Sequence, residues 1–97
     1  MSTSAYLVAY DIANDRRRTR ASQTLKAYGD RIQYSVFLCH LTASNLVTLQ
    51  ADLTELINHH EDQVLFAHLG PLHGRATHAI KVIGAARPFP TDGPTIL

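Results

Sequence analysis

Apolar and polar positions change their spacing several times along this 97-residue chain, and each change marks an element. From Ala5 to Asn14 the sequence reads A-Y-L-V-A-Y-D-I-A-N, an apolar run that reaches one acid, Asp11, before the turn formers Asn14 and Asp15. A short apolar run bounded in this way predicts a buried strand. A helix is expected over Arg16 to Tyr28, with Asn14 or Asp15 as its cap and Gly29 just past its end. Its apolar stripe is thin: Ala21, Leu25 and Tyr28. Arg18 lies on the same stripe one turn earlier, so its side chain is expected to lean back toward the strand end that carries Asp11. Arg16, Arg17 and Arg20 are expected to face solvent.

The stretch Arg31 to Cys39 alternates with the period of a strand. Ile32, Tyr34, Val36 and Leu38 form one face, expected to pack on the helices. Arg31, Gln33, Ser35, Phe37 and Cys39 form the other. In that arrangement Phe37 stands on a mostly polar surface, either as a stray exposed aromatic or, the favoured reading, as an interface anchor. Thr42 to His60 is expected to be helical, with Leu46, Leu49, Leu53, Leu56 and Ile57 on one face and Thr42 or Ser44 as cap. Gln63 to Leu69 predicts a third strand, Leu72 to Ala76 a loop containing Gly74 and Arg75, and Thr77 to Ile83 a fourth strand.

Strand, helix, strand, helix, strand, strand in so short a chain predicts an α+β fold. The expected form is a ferredoxin-like sandwich of βαββαβ type, with an antiparallel sheet and two helices on one face. The expected division is one domain over residues 1–84 and a tail over 85–97. The tail contains Pro88, Pro90 and Pro94, which restrict it to extended or edge positions. The other sheet face would be bare, and an isologous dimer is the simplest way to cover it.

Composition narrows the function classes. Apolar residues make up 45% of the chain, enough for a core, and no apolar run approaches a membrane span of ~20 residues. Met1 to Ser4 is too short for a signal peptide. One cysteine, Cys39, excludes an intrachain disulfide and fits a reducing cytoplasm. Net charge is +1, but residues 1–40 carry six basic residues against three acids, while the remainder carries three against five. A localised basic surface on a near-neutral chain points to a specific anionic partner.

The chemistry concentrates where Asp11 meets Arg16, Arg17, Arg18 and Arg20. Cations at a helix N-terminus oppose the macrodipole by roughly 0.3–1 kcal/mol each, so a cluster of them there suggests an anion. Helix N-termini and guanidinium forks both suit phosphate. Asp11 is either a strand-end acid that caps the next turn or half of a metal site. One carboxylate holds magnesium poorly. Two copies, with carbonyls and waters, satisfy an octahedral hard cation. Such an ion could activate water against a phosphodiester while the arginines hold the backbone. His59 and His60 do not share a helical face, and His68, His73 and His78 are more simply read as surface or core histidines than as ligands.

Four segments carry a family resemblance: Y-D-I (Tyr10 to Ile12), D-R-R-R-T-R (Asp15 to Arg20), L-K-A-Y-G (Leu25 to Gly29) and R-I-Q-Y-S-V-F (Arg31 to Phe37). In this order and spacing the chain resembles the small CRISPR-associated adaptation protein family ("Cas-two"), over residues 5 to about 83. The resemblance implies a ferredoxin-like homodimer with endoribonuclease activity and a magnesium ion shared by two copies of Asp11. It also implies assembly with CRISPR integrase dimers that insert short DNA segments into an array. By this match Asp11 is the catalytic and metal-binding acid. Tyr10, Arg18, Arg20, Arg31 and Phe37 match positions implicated in activity or nucleic-acid contact. Family members commonly add a C-terminal strand to the partner's sheet, and the prolines of this tail depart from that pattern.

Three function classes follow. The first is a metal-dependent nuclease acting on single-stranded RNA or DNA. The second is a non-catalytic scaffold that grips DNA phosphates and bridges integrase dimers. The third is a regulatory domain of the same fold for a small ligand, against which the arginine-rich helix start argues.

Overall fold

A computed structural model of the chain describes residues 2–71 and 79–85. Four strands and two helices follow one another: β1 (Ser4–Asp11), α1 (Asp15–Lys26), β2 (Gly29–Gln33), β3 (Val36–Leu41), α2 (Ala43–Leu56) and β4 (Gln63–Pro71). The sheet order is β2-β3-β1-β4, and every pairing is antiparallel. This is the α+β, ferredoxin-like arrangement expected. Among the described residues no helix is long and apolar enough to cross a membrane.

Strand β1 is central, hydrogen-bonded to β3 on one side and β4 on the other, and its alternation sorts the whole sheet. Val8 pairs with Phe37 and Phe66, while Tyr10 pairs with Val64. Directly opposed residues share a face. Val8, Tyr10, Phe37, Cys39 and Leu41 therefore form one buried surface, on which Ala21 and Leu25 of α1 and Leu49 and Leu53 of α2 are packed. On the other face Ala5 and Leu38 are buried with Ile32, Leu69 and Ile80 around them. Leu7, Ala9 and Leu65 share that face by register, and Leu65 is 48% exposed.

Several expectations are corrected. The segment Arg31 to Cys39 is not one strand. It spans the end of β2, a turn at Tyr34 and Ser35 and the start of β3, with a register shift between Arg31 and Gln33. The register shift and the turn break up the two expected side-chain sets: Gln33 pairs with Val36, and Tyr34 lies beside Arg31 instead of with Ile32 and Leu38. Phe37 and Cys39 face the helices, and Phe37 has no exposed surface. Phe37 is a core residue. The reason is its partner: Val8, opposite Phe37, has no polar alternative and must point into the helical layer.

Both helices end early. Helix α1 stops at Lys26, and Gly29 opens β2 instead of closing the helix. A side chain at Gly29 would put Cβ 2.0 Å from the Leu38 carbonyl oxygen and 2.6 Å from Cys39 Cα, so only glycine lets β2 approach β3 here. Helix α2 ends at Leu56: Ile57 N–H still bonds Leu53 O at 3.1 Å, but the amides beyond it find side-chain acceptors. Asn58 N–H donates to Asp62 Oδ2 and His60 N–H to Asn58 Oδ1, both at 2.8 Å. His59 and His60 therefore lie in a turn. The cap assignments hold: Asn14 accepts from Arg17 N–H at 3.0 Å and Thr42 from Asn45 N–H at 3.1 Å.

The expected fourth strand over Thr77 to Ile83 does not form across Ala79 to Ile83. There Ile80 docks by its side chain on the Ala5 and Leu38 cluster. Thr77, His78 and the tail from residue 86 onward lie outside the described residues, as does the loop 72–76.

Because Phe37 is fully enclosed between β1 and the helices, Phe37→Ala is expected to lower unfolding stability by about 3–5 kcal/mol. Urea titration followed by circular dichroism measures this. A loss below 1 kcal/mol would return Phe37 to a surface role.

Candidate active site and nucleic-acid interface

The loop from Ile12 to Asn14 joins β1 to α1 and sets the direction of every candidate side chain. Asp11, the last residue of β1, pairs with Gln63 across β4 and is exposed. Its place in the alternation puts it on the face away from the helices, beyond Leu7 and Ala9. Tyr10, one residue earlier, points into the core, where its ring lies 6.4 Å from that of Phe37. The two neighbouring residues of the sequence motif thus occupy opposite sides of the sheet.

Asp11 offers two oxygens of the hard type that magnesium prefers. Among the described residues no group of three or more His, Cys, Asp or Glu side chains converges. Among the described residues Asp11 thus stands as a lone carboxylate, a donor of the right kind for magnesium but by itself too few ligands for one.

The arginines divide into three kinds. Arg16 and Arg20 are exposed, and no carboxylate within ion-pair distance of either is found among the described residues. Arg17 does not face solvent as expected. Its Nε donates to Asp62 Oδ2 at 2.7 Å, and Nη2 donates to Asp62 Oδ1 at 3.2 Å and to Glu61 Oε1 at 3.0 Å. The Asp62 side chain has no solvent-exposed surface and also accepts from Ala13 N–H at 3.1 Å. Arg17 and Asp62 form a bidentate pair that ties the β1–α1 loop to the loop after α2. The Arg17 guanidinium holds the Asp62 carboxyl well below the usual carboxylate range, with the Asn58 and Ala13 amides adding to the effect. No local sequence pattern singles out Asp62, since its partner Arg17 lies 45 residues away in the chain.

Arg18 leans toward the strand end as expected, but it reaches a carbonyl and not Asp11. Its Nη1 donates to Ile12 O at 2.8 Å, and its Nη2 pairs with Asp15. A hydrogen bond with Tyr34 raises its already high pKa. Arg31 belongs to the same neighbourhood. Its guanidinium donates to the Ser22 hydroxyl and lies 5.9 Å from the Tyr34 ring centroid and 5.5 Å from that of Phe37. The structure therefore joins Arg18 and Arg31 on the helical side of the sheet and separates both from Asp11.

Cys39 is placed as a core residue: burial beneath the helices pushes its thiol up to about 12, which leaves it inert. His68 stacks on Tyr6 with ring centroids 4.8 Å apart, while His73 and His78 lie outside the described residues.

Comparison with known proteins decides the family. The model of the CRISPR-associated protein Cas2 matches residues 4–72. The chain belongs to the Cas2 family. It is 42% identical over 66 residues to the CRISPR-associated endoribonuclease Cas2 of Geobacter sulfurreducens, covering 68% of this chain and 70% of that protein. The crystal structure of a hypothetical protein, TT1823, from Thermus thermophilus superposes with a TM-score of 0.73 at 34% identity, covering 86% of this chain and 93% of that one. Streptococcus pyogenes Cas2 at pH 6.5 superposes with a TM-score of 0.70 at 27% identity, over 82% and 99% of the two chains. The Cas2 match spans β1 through β4 and thus includes both Asp11 and the arginine cluster.

The Arg17–Asp62 pair makes a pH-dependent contribution of known sign. A carboxyl whose pKa is depressed by folding stabilises the native state above its unfolded value, near 3.9, and loses that contribution as pH falls below it. Asp62→Asn is expected to be less stable than the native sequence at pH 7. The gap between their urea midpoints should narrow as pH is lowered from about 5 toward 2. A constant gap would remove the carboxylate from the account.

Proposed function

We propose that this chain acts in CRISPR adaptation as a homodimeric, magnesium-dependent nuclease that also grips nucleic acid through α1. The carrying observation is the position of Asp11, an exposed carboxylate at one end of a sheet face on which Leu7, Ala9 and Leu65 stand without helical cover. A second copy packed on this face covers the apolar residues and brings the two Asp11 side chains toward a common axis. The naming of the Geobacter relative as an endoribonuclease supports the same reading. The two carboxylates would hold the magnesium ion, which when bound polarises a phosphoryl oxygen and lowers the pKa of a bound water. Arg16 and Arg20, exposed at the start of α1, would neutralise backbone phosphates of RNA or DNA.

A second reading is favoured by the same two arginines. With Asp11 idle, they would make the dimer a scaffold that holds duplex DNA and bridges CRISPR integrase dimers. Cleavage of single-stranded RNA by purified protein in magnesium separates the two. Asp11→Asn is expected to abolish cleavage while sedimentation still reports a dimer, and unchanged cleavage would rule out the nuclease role. The double change Arg16→Ala and Arg20→Ala is expected to weaken nucleic-acid binding and to flatten its salt dependence by about one unit of slope per lost phosphate contact. Loss of spacer acquisition in that double variant, with Asp11→Asn unaffected, would favour the scaffold.

A further inference from the structure

A cleft of about 320 Å³ opens between α1 and the β2–β3 turn, on the helical side of the sheet and away from Asp11. Arg18 and Arg31 line it, with the hydroxyls of Thr19, Ser22 and Tyr10 between them and the Tyr34 ring at the mouth. Its size falls at the small end of the range for small-molecule sites, about 300–1,000 Å³. Two guanidiniums face one acid, Asp15, whose side chain is 93% exposed and therefore holds Arg18 only through a solvated pair. The recorded partners of Arg31 are neutral: the Ser22 hydroxyl and two aromatic rings. Tyr34 is 71% exposed, so its ring is open to a stacking partner.

We propose that this cleft binds one nucleotide unit, its phosphate held by Arg18 and Arg31 and its base stacked on Tyr34. Arginine forks and hydroxyl donors match a phosphate's oxygens, and an aromatic face takes any base. Phosphate binding displaces Asp15 from Arg18 without uncovering a buried charge, because that carboxylate is already in water. The unit is either a free nucleotide or one residue of a strand, and both present the same phosphate and base. The inference deepens the assignment of Arg18 and Arg31 to nucleic-acid contact. It is independent of the metal half-site, since the two lie on opposite faces.

The test uses the full-length protein in EDTA, so that failure of the magnesium reading does not affect it. Uridine 5′-monophosphate, uridine, inorganic phosphate and a single-stranded uridine tetranucleotide are titrated by calorimetry and by amide and guanidinium NMR shifts. The monophosphate is expected to move the Thr19, Ser22 and Arg31 signals and to bind more tightly than uridine or inorganic phosphate. Tyr34→Ala should weaken the monophosphate by roughly five- to 150-fold, the worth of one stacked base, and weaken inorganic phosphate by much less. Tyr34→Phe should restore the affinity. Tighter tetranucleotide binding with the same dependence on Tyr34 identifies a strand as the source, and equal binding identifies the free nucleotide. No saturation by either nucleotide probe at millimolar concentration, or binding indifferent to Tyr34→Ala, would overturn the proposal.

Discussion

The pairing of β1 on both of its edges is the constraint from which the other features follow. A strand held by two ladders cannot rotate, so each of its side chains has a fixed side of the sheet. Val8 and Tyr10 enter the helical core, and Leu7, Ala9 and Asp11 take the opposite face. Sliding β1 by one residue would bury Asp11 under α1 and put Tyr10 in water. The cost of an unpaired buried carboxylate makes that register inaccessible. The separation of the carboxylate from Arg18 and Arg31 is thus a direct result of strand geometry.

The loop after β1 has a second restraint, and it comes from the far end of α2. Asp62 satisfies Ala13 N–H, Asn58 N–H and the Arg17 guanidinium together, with none of its side chain exposed. Removing one partner from such a network leaves the others unsatisfied, so its members act as a unit. The restraint fixes where α1 begins, and with it the direction in which Arg16, Arg18 and Arg20 project. Of the four arginines in the first turns of α1, Arg17 is committed to architecture, and the direction of the others depends on it.

The sequence made the elements with strong periodicity legible. The helical stripe of Leu49 and Leu53, the caps at Asn14 and Thr42 and the strand running to Asp11 all fell where pattern and turn chemistry placed them. The hairpin turn at Tyr34 and Ser35 was not legible, because neither residue is among the usual Gly, Asn or Asp formers of a two-residue turn. Alternation separated Phe37 from Leu38 but could not say which of the two faced the helices. That choice belongs to the partner strand. The Arg17–Asp62 bond joins residues 45 apart in the chain, beyond the reach of any local pattern. For the site, the residue types and their clustering were visible, whereas the division into two faces required the sheet register.

Cys39 gives the molecule an internal clock. It lies in β3 between two other strands, has no exposed surface, and keeps almost no thiolate at neutral pH. A thiol reagent can reach it only when β3 parts from the helical layer. Its labelling rate, divided by that of an unfolded control, therefore reads out how often the sheet opens under native conditions. As the chain's single cysteine, it reports that opening without any engineered probe.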